Sequence, residues 1–275
     1  MRNLLIAGVA PLALIAVPAA AQETQSDRPF AGVYIGASGG YDVQGNDSGS
    51  SILFDRGSNG SFGEVVTTGA GANAFSPGFC NGRARAATPI AGCDNDEDGW
   101  SYNVRVGADT QVGPLTVGII GEFGKSEISD SVSAFSTTPA NYVMTREVEW
   151  EATARARAGL AVNTTLFYGT FGVGYASIEN SFTSTNTANS FAVDNRNREF
   201  GWIAGGGIEQ KLSRNISIGL EGLFHEYRDD DARVTVGQGT SPATNPFVLA
   251  GGVDFARSDR DFRWYSARAV VNFRF

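Results

Sequence analysis

The chain has 275 residues, a formal net charge of −8, 35 glycines and 18 phenylalanines against a single histidine. Mean hydropathy is only −0.13, and after the N-terminal leader no stretch approaches about 18 consecutive apolar residues, which excludes a helical membrane protein. The acidic balance argues against nucleic-acid binding. What stays open is a wall of strands, each needing about 9 to 11 residues of which only alternate ones are apolar.

Arg2 makes a positive start, residues 4–17 are almost wholly apolar, and Ala19-Ala20-Ala21 is a small-residue cleavage site. Pro11 interrupts the run, which falls short of the roughly 20 residues that span a bilayer and meets polar Gln22-Glu23-Thr24 at once. Residues 1–21 therefore read as an export signal peptide, 22–29 as a short periplasmic lead and 30–275 as the folded domain.

In the first strand Val33, Ile35, Ala37 and Tyr41 alternate with Gly32, Gly36, Ser38, Gly40 and Asp42. A long polar segment, 44–99, follows. It holds Cys80 and Cys93, for which an oxidising compartment favours a disulfide worth about 3 kcal/mol on the chain-entropy view. A zinc site is a poor reading, since His225 lies far away in sequence. Asp94, Asp96 and Asp98 open like a calcium loop, yet Arg105 stands where such a loop needs glutamate. A solvated acidic loop is the expectation there and at Asp229-Asp230-Asp231, with no metal or cofactor.

The second strand alternates Trp100, Tyr102, Val104, Val106, Ala108 and Val112 with Ser101, Asn103, Arg105, Gly107, Asp109 and Gln111. Gly113-Pro114 turns it into a third, with Leu115, Val117, Ile119, Gly121 and Phe123 on one face and Glu122 on the other. A polar connection runs to about Arg146. The fourth strand puts Val148, Trp150, Ala152, Ala154, Ala156, Ala158 and Leu160 outward and Glu149, Glu151, Thr153, Arg155 and Arg157 inward. The fifth sends out Phe167, Phe171, Val173 and Tyr175, then enters a polar loop over 179–198. The sixth shows Trp202, Ala204, Gly206 and Ile208 outward with Glu209 inward. The seventh carries Ile216, Ile218, Leu220 and Phe224. After a last loop, 229–260, the eighth shows Tyr265, Ala267, Ala269, Val271, Phe273 and Phe275 outward, against Ser266, Arg268, Asn272 and Arg274.

Long connections after odd strands and tight ones after even strands describe an all-β, antiparallel up-and-down transmembrane barrel with both ends in the periplasm. An extra hairpin at 52–54 and 65–67 would raise the strand number from eight to ten. Trp100, Trp150, Trp202 and Trp264 all fall near the start of an even-numbered strand, the level of an outer aromatic girdle. Trp264 has inward parity and would need a bulge to join it. A soluble sandwich or lipocalin-like barrel would instead keep its apolar set inside.

Inward positions collect Arg105, Asp109, Glu122, Glu151, Arg155, Arg157, Glu209, Glu221 and Arg268, nearly balanced in sign. Stranding one member of a buried pair costs about 3 to 5 kcal/mol, so these groups must be paired. A network that plugs the lumen is the first reading, because eight strands enclose only enough room for side chains; a charged constriction of a narrow passive channel is the alternative. A lipid-modifying enzyme is the remote third. Its only histidine would be His225, read as a rim residue, without a serine in an evident nucleophile motif.

The opening Phe30-Ala31-Gly32-Val33-Tyr34-Ile35-Gly36, the segment Gly201-Trp202 through Gly205-Gly206-Gly207-Ile208-Glu209 with Glu221 beyond it, and the ending Val270-Val271-Asn272-Phe273-Arg274-Phe275 carry a resemblance. The chain resembles the small porin-like outer-membrane β-barrels of Gram-negative bacteria, which include OmpA-like and opacity-type barrels. The resemblance implies residence in the outer membrane among lipid and lipopolysaccharide, and a structural or surface-interaction role in the cell envelope. It also implies that Phe275, Phe273, Val271 and Ala269 are read by the outer-membrane assembly machinery.

Overall fold

The computed structural model describes residues 28–45 and 49–275; the expected signal peptide 1–21 and most of the lead 22–29 lie outside them. Eight antiparallel strands build the wall: β1 (Gly32–Gln44), β2 (Gly99–Val112), β3 (Leu115–Ser126), β4 (Ala140–Val162), β5 (Thr165–Ser184), β6 (Arg196–Lys211), β7 (Ile216–Arg228) and β8 (Asp261–Arg274). Each pairs with its neighbours in sequence. β1 pairs with both β2 and β8, which closes the barrel and leaves its wall without an edge. Gly113 and Asn163 sit at positive φ, 57° and 55°, in the tight turns after β2 and β4, a conformation glycine and asparagine tolerate best.

The exposed face of the wall is apolar and the enclosed face polar, the inverse of a water-soluble barrel. Val104, Ile119, Phe171, Leu220 and Val271 stand out while Arg105, Glu122, Arg155 and Glu221 are buried. Inward glycines make room for large partners. A Cβ on Gly107 would lie 2.2 Å from the Tyr34 ring, and one on Gly174 would lie 1.8 Å from the Tyr227 hydroxyl.

Trp100 packs on Tyr41 with ring centroids 5.4 Å apart, Trp150 lies 5.8 Å from Phe123 and 5.7 Å from Tyr175, and Trp202 lies 5.2 Å from Phe224. These form the outer girdle. Trp264 does not join them. β8 keeps unbroken register with β7 and β1, so the bulge that would have turned Trp264 outward is absent and the ring is buried inside the barrel. The bulge lies in β4 instead: Ser177 faces Trp150 and Ile178 faces Val148, leaving Glu149 over. Val148, expected on the outer face, is consequently buried with Ile128, Ala176, Ile178, Tyr227, Phe262 and Trp264 in an apolar layer.

The long connections are folded. The segment expected as polar linker before Arg146 is a hairpin in which Ser129–Ser136 pairs with the start of β4, and Gly78–Asn81 adds to its free side. A second sheet joins Ser190–Val193, Val234–Gly237, Val253–Arg257 and Ile52–Arg56 in that order. The extra-hairpin expectation is thus corrected: residues 52–56 pair with the last loop, above the barrel, and the wall stays at eight strands. Phe54, Phe75, Tyr142, Phe247 and Phe255 form the centre of a cap with its own hydrophobic core. Cys80 and Cys93 are disulfide-bonded at its edge, with Cα atoms 6.5 Å apart.

Asp130 ties cap to barrel. It accepts Nε of Arg146 at 2.7 Å and pairs with Arg257, while Arg146 Nη2 donates to the Asp261 carbonyl at 2.8 Å. Burial pushes the Asp130 carboxyl up, but the two guanidinium groups outweigh it and hold it below the usual range.

Candidate functional site

The inward side chains meet in three levels. Val112 pairs with Leu115 across the tight turn, which sets Arg105 opposite Glu122, and β7 and β8 set Glu221 opposite Arg268. In the middle level Arg105 reaches Glu122 at 2.7 Å and Glu221 at 3.1 Å. Arg155 of β4 bonds the same two carboxylates, Glu221 at 3.2 Å, and the Tyr168 hydroxyl donates to Glu221 at 3.1 Å. Arg268 lies 3.9 Å from Glu122.

Toward the periplasm, Arg157 donates Nε to Asp109 at 2.8 Å and pairs with Glu209 at 2.8 Å. Arg274 meets Asp109 at 2.8 Å and Glu209 at 3.5 Å. The guanidinium carbons of Arg157 and Arg274 lie 5.0 and 4.6 Å from the Tyr34 ring centroid, a cation–π geometry.

Toward the outside, Glu151 accepts the Tyr227 hydroxyl at 2.6 Å and lies 2.8 Å from His225 Nδ1. Ser266 Oγ and Arg268 Nη2 lie 3.2 and 3.3 Å from His225 Nε2. His225, expected at the rim, is instead fully buried beneath Trp264. Serine, histidine and carboxylate stand in the order a nucleophilic site uses. With His225 at 0 % and Ser266 at 4 % exposure, however, nothing the size of a substrate reaches them.

Across these levels five arginines, Arg105, Arg155, Arg157, Arg268 and Arg274, face five carboxylates, Asp109, Glu122, Glu151, Glu209 and Glu221. The strand parity that found most of them also applied to Arg274, Tyr34, Tyr168 and Trp264. Tyr34, Tyr168 and Trp264 are rings at inward positions and Arg274 a charge on the inward side of β8, and all four lie in the lumen.

The acidic segment does not converge. Asp94 pairs with Arg85 at 2.7 Å, Asp96 accepts the Ser131 backbone N–H at 2.8 Å and Asp98 that of Gln44 at 2.9 Å. Among the described residues no group of three or more His, Cys, Asp or Glu is placed to hold a metal ion. Asp229, expected to be solvated, is buried and accepts Asn180 and Asn197 at 3.2 and 2.7 Å.

At the far end Phe275, Phe273 and Val271 stand on the exposed apolar face, while Arg274 points inward and donates to the Phe30 carbonyl at 2.5 Å. The Phe275 N–H donates to Val33 at 2.9 Å, so the last residue completes the seam between β8 and β1.

A 22 kDa outer membrane protein of Rhizobium leguminosarum bv. viciae is 26% identical over 140 residues, 51% of this chain, and the match spans only 58% of that relative. The structure of OprG from Pseudomonas aeruginosa aligns over 89% of this chain and 97% of its own, at 11% identity and a TM-score of 0.47. The outer membrane protease OmpT of Escherichia coli aligns over 89% and 97%, at 8% identity and a TM-score of 0.41. Residues 7–255 match the outer membrane protein beta-barrel domain. The chain belongs to that family and is an integral β-barrel of the bacterial outer membrane.

Proposed function

We propose that this barrel is a closed, non-enzymatic anchor whose work is done by its extracellular cap, in a structural or surface-interaction role in the cell envelope. The observation that carries the reading is the filled lumen. The ion-paired side chains of the middle and lower levels are at most 2 % exposed, whereas a water-filled path would leave such charges wet. Buried charges of opposite sign hold one another and fix strand register, which suits a plug.

In this reading lipid and lipopolysaccharide surround the wall, and Phe275, Phe273, Val271 and Ala269 present the terminal strand to the assembly machinery. Residues 1–21 direct export and are removed. Single-channel recording on the purified, refolded protein tests the plug. A flat baseline is expected, and a steady, salt-dependent conductance would establish the passive channel instead.

A further inference from the structure

All four long connections converge on one cavity at the outermost turns of the cap. Its volume is about 270 Å³, just below the roughly 300 to 1,000 Å³ of drug-sized ligand pockets. The floor is Phe75, Tyr142 and Phe247, whose rings pack with centroids 5.3 Å (Phe75 to Tyr142) and 5.9 Å (Tyr142 to Phe247) apart. Pro139 and Pro246 add apolar flanks. The rim carries the hydroxyls of Thr137, Thr138 and Thr187, all exposed. None of the lining side chains is Asp, Glu, Lys, Arg or His, in a chain that is 18% charged.

The walls are held in advance. Asn141 and Thr185 exchange two hydrogen bonds, from backbone N–H to side-chain oxygen in each direction, at 2.9 and 3.0 Å. Asn186 Nδ2 donates to the Tyr142 hydroxyl at 3.0 Å, and Asn245 Nδ2 to Asn189 at 3.1 Å. Burial also pushes the Tyr142 phenol up, so the floor stays neutral.

We propose that this cavity binds a neutral sugar unit of a surface glycan, with the threonine rim meeting its hydroxyls and the ring and proline surfaces its apolar face. The inference rests on the surface-interaction reading above and names its ligand class. An anionic or cationic ligand would lose its hydration with no counter-charge to meet it. A purely apolar ligand would make no use of the rim hydroxyls. A hydroxyl both donates and accepts, and sugar hydroxyls match that in kind.

The test uses the full-length refolded barrel in nanodiscs. Methyl glycosides of glucose, galactose, mannose and N-acetylglucosamine are titrated by calorimetry and saturation-transfer NMR, beside N-acetylneuraminic acid and a sulfated disaccharide. At least one neutral glycoside should saturate with a Kd on the order of 1 mM, as one ring in a small site allows. Thr187→Arg and Thr138→Arg, both exposed rim changes, should weaken it at least about tenfold while heat-shifted gel mobility stays that of the parent. Absence of saturation by all four neutral glycosides overturns the proposal. So does tighter binding of the charged sugars, or binding indifferent to both rim variants. Channel recording is independent: a conducting lumen would remove the plug and leave this result standing.

Discussion

Trp264 lies flat against His225 inside the barrel, with ring centroids 4.7 Å apart and planes 11° from parallel, and stacks also on Tyr227 at 5.4 Å. The indole divides the apolar layer under the cap from the charged levels below. Trp264→Ala should lower unfolding stability by about 3 to 5 kcal/mol through the lost burial and the void it leaves. Urea titration in lipid, followed by gel mobility, measures this. A loss below about 1 kcal/mol, the size of a surface change, would show that the indole does not fill this layer.

Glu221 accepts from both Arg105 and Arg155. Glu221→Ala should cost about 3 to 5 kcal/mol, because it leaves two buried guanidinium groups to share Glu122 as their one carboxylate. Glu221→Gln, which keeps the volume and one acceptor, should cost less. Equal stability of the alanine and parent proteins would mean water already solvates the level.

The Asp130 clasp should respond to acid. Its folded pKa lies below the ordinary carboxylate value, so its contribution is fully present above about pH 4 and fades as pH falls through the depressed value. Proteolysis of the cap should therefore accelerate in acid while the barrel strands stay protected. Asp130→Asn should reproduce the loosened cap at neutral pH. A cap equally resistant in the parent at both pH values and in the variant would refute the clasp.

The wall should report depth. Ala154→Arg, midway along the membrane part of β4, should destabilise by about 2 to 4 kcal/mol, and Val112→Arg, beside the periplasmic turn, by about 0 to 1 kcal/mol. Equal penalties at the two positions would argue against the placement of the bilayer around β4.

The wall was legible because lipid outside and charge inside write a period of two into each strand, as in Val104-Arg105-Val106. The cap was not. Ile52, Phe75, Phe247 and Phe255 lie in short apolar stretches dispersed through polar segments, and their common core exists only once loops more than a hundred residues apart are brought together. In the lumen, parity told which side chains face inward, while partners depend on register between strands distant in sequence. The Glu151–His225 contact, across the barrel from β4 to β7, has no local signature. Trp264 has the parity of the lumen at the height of the girdle, and parity decides: with no bulge in β8 the indole fills the apolar layer beneath the cap.

A strand that leaves a bilayer for water must exchange its apolar side, outward in lipid and inward beneath a folded cap. β5 makes the exchange in its residues: Phe171 and Val173 face lipid, and higher up Ala176, Ile178 and Phe182, of the other parity, face in. β4 never changes step. Tyr142, Met144, Arg146, Val148, Trp150 and Ala152 keep one parity, apolar except for the Asp130-paired Arg146, and the surplus residue Glu149 reverses the direction in which it points. Neighbouring strands thus answer the same reversal of solvent by opposite means, one in composition and one in backbone. Removing Glu149 alone would leave the wall below in register and turn Tyr142, Met144 and Val148 out into water.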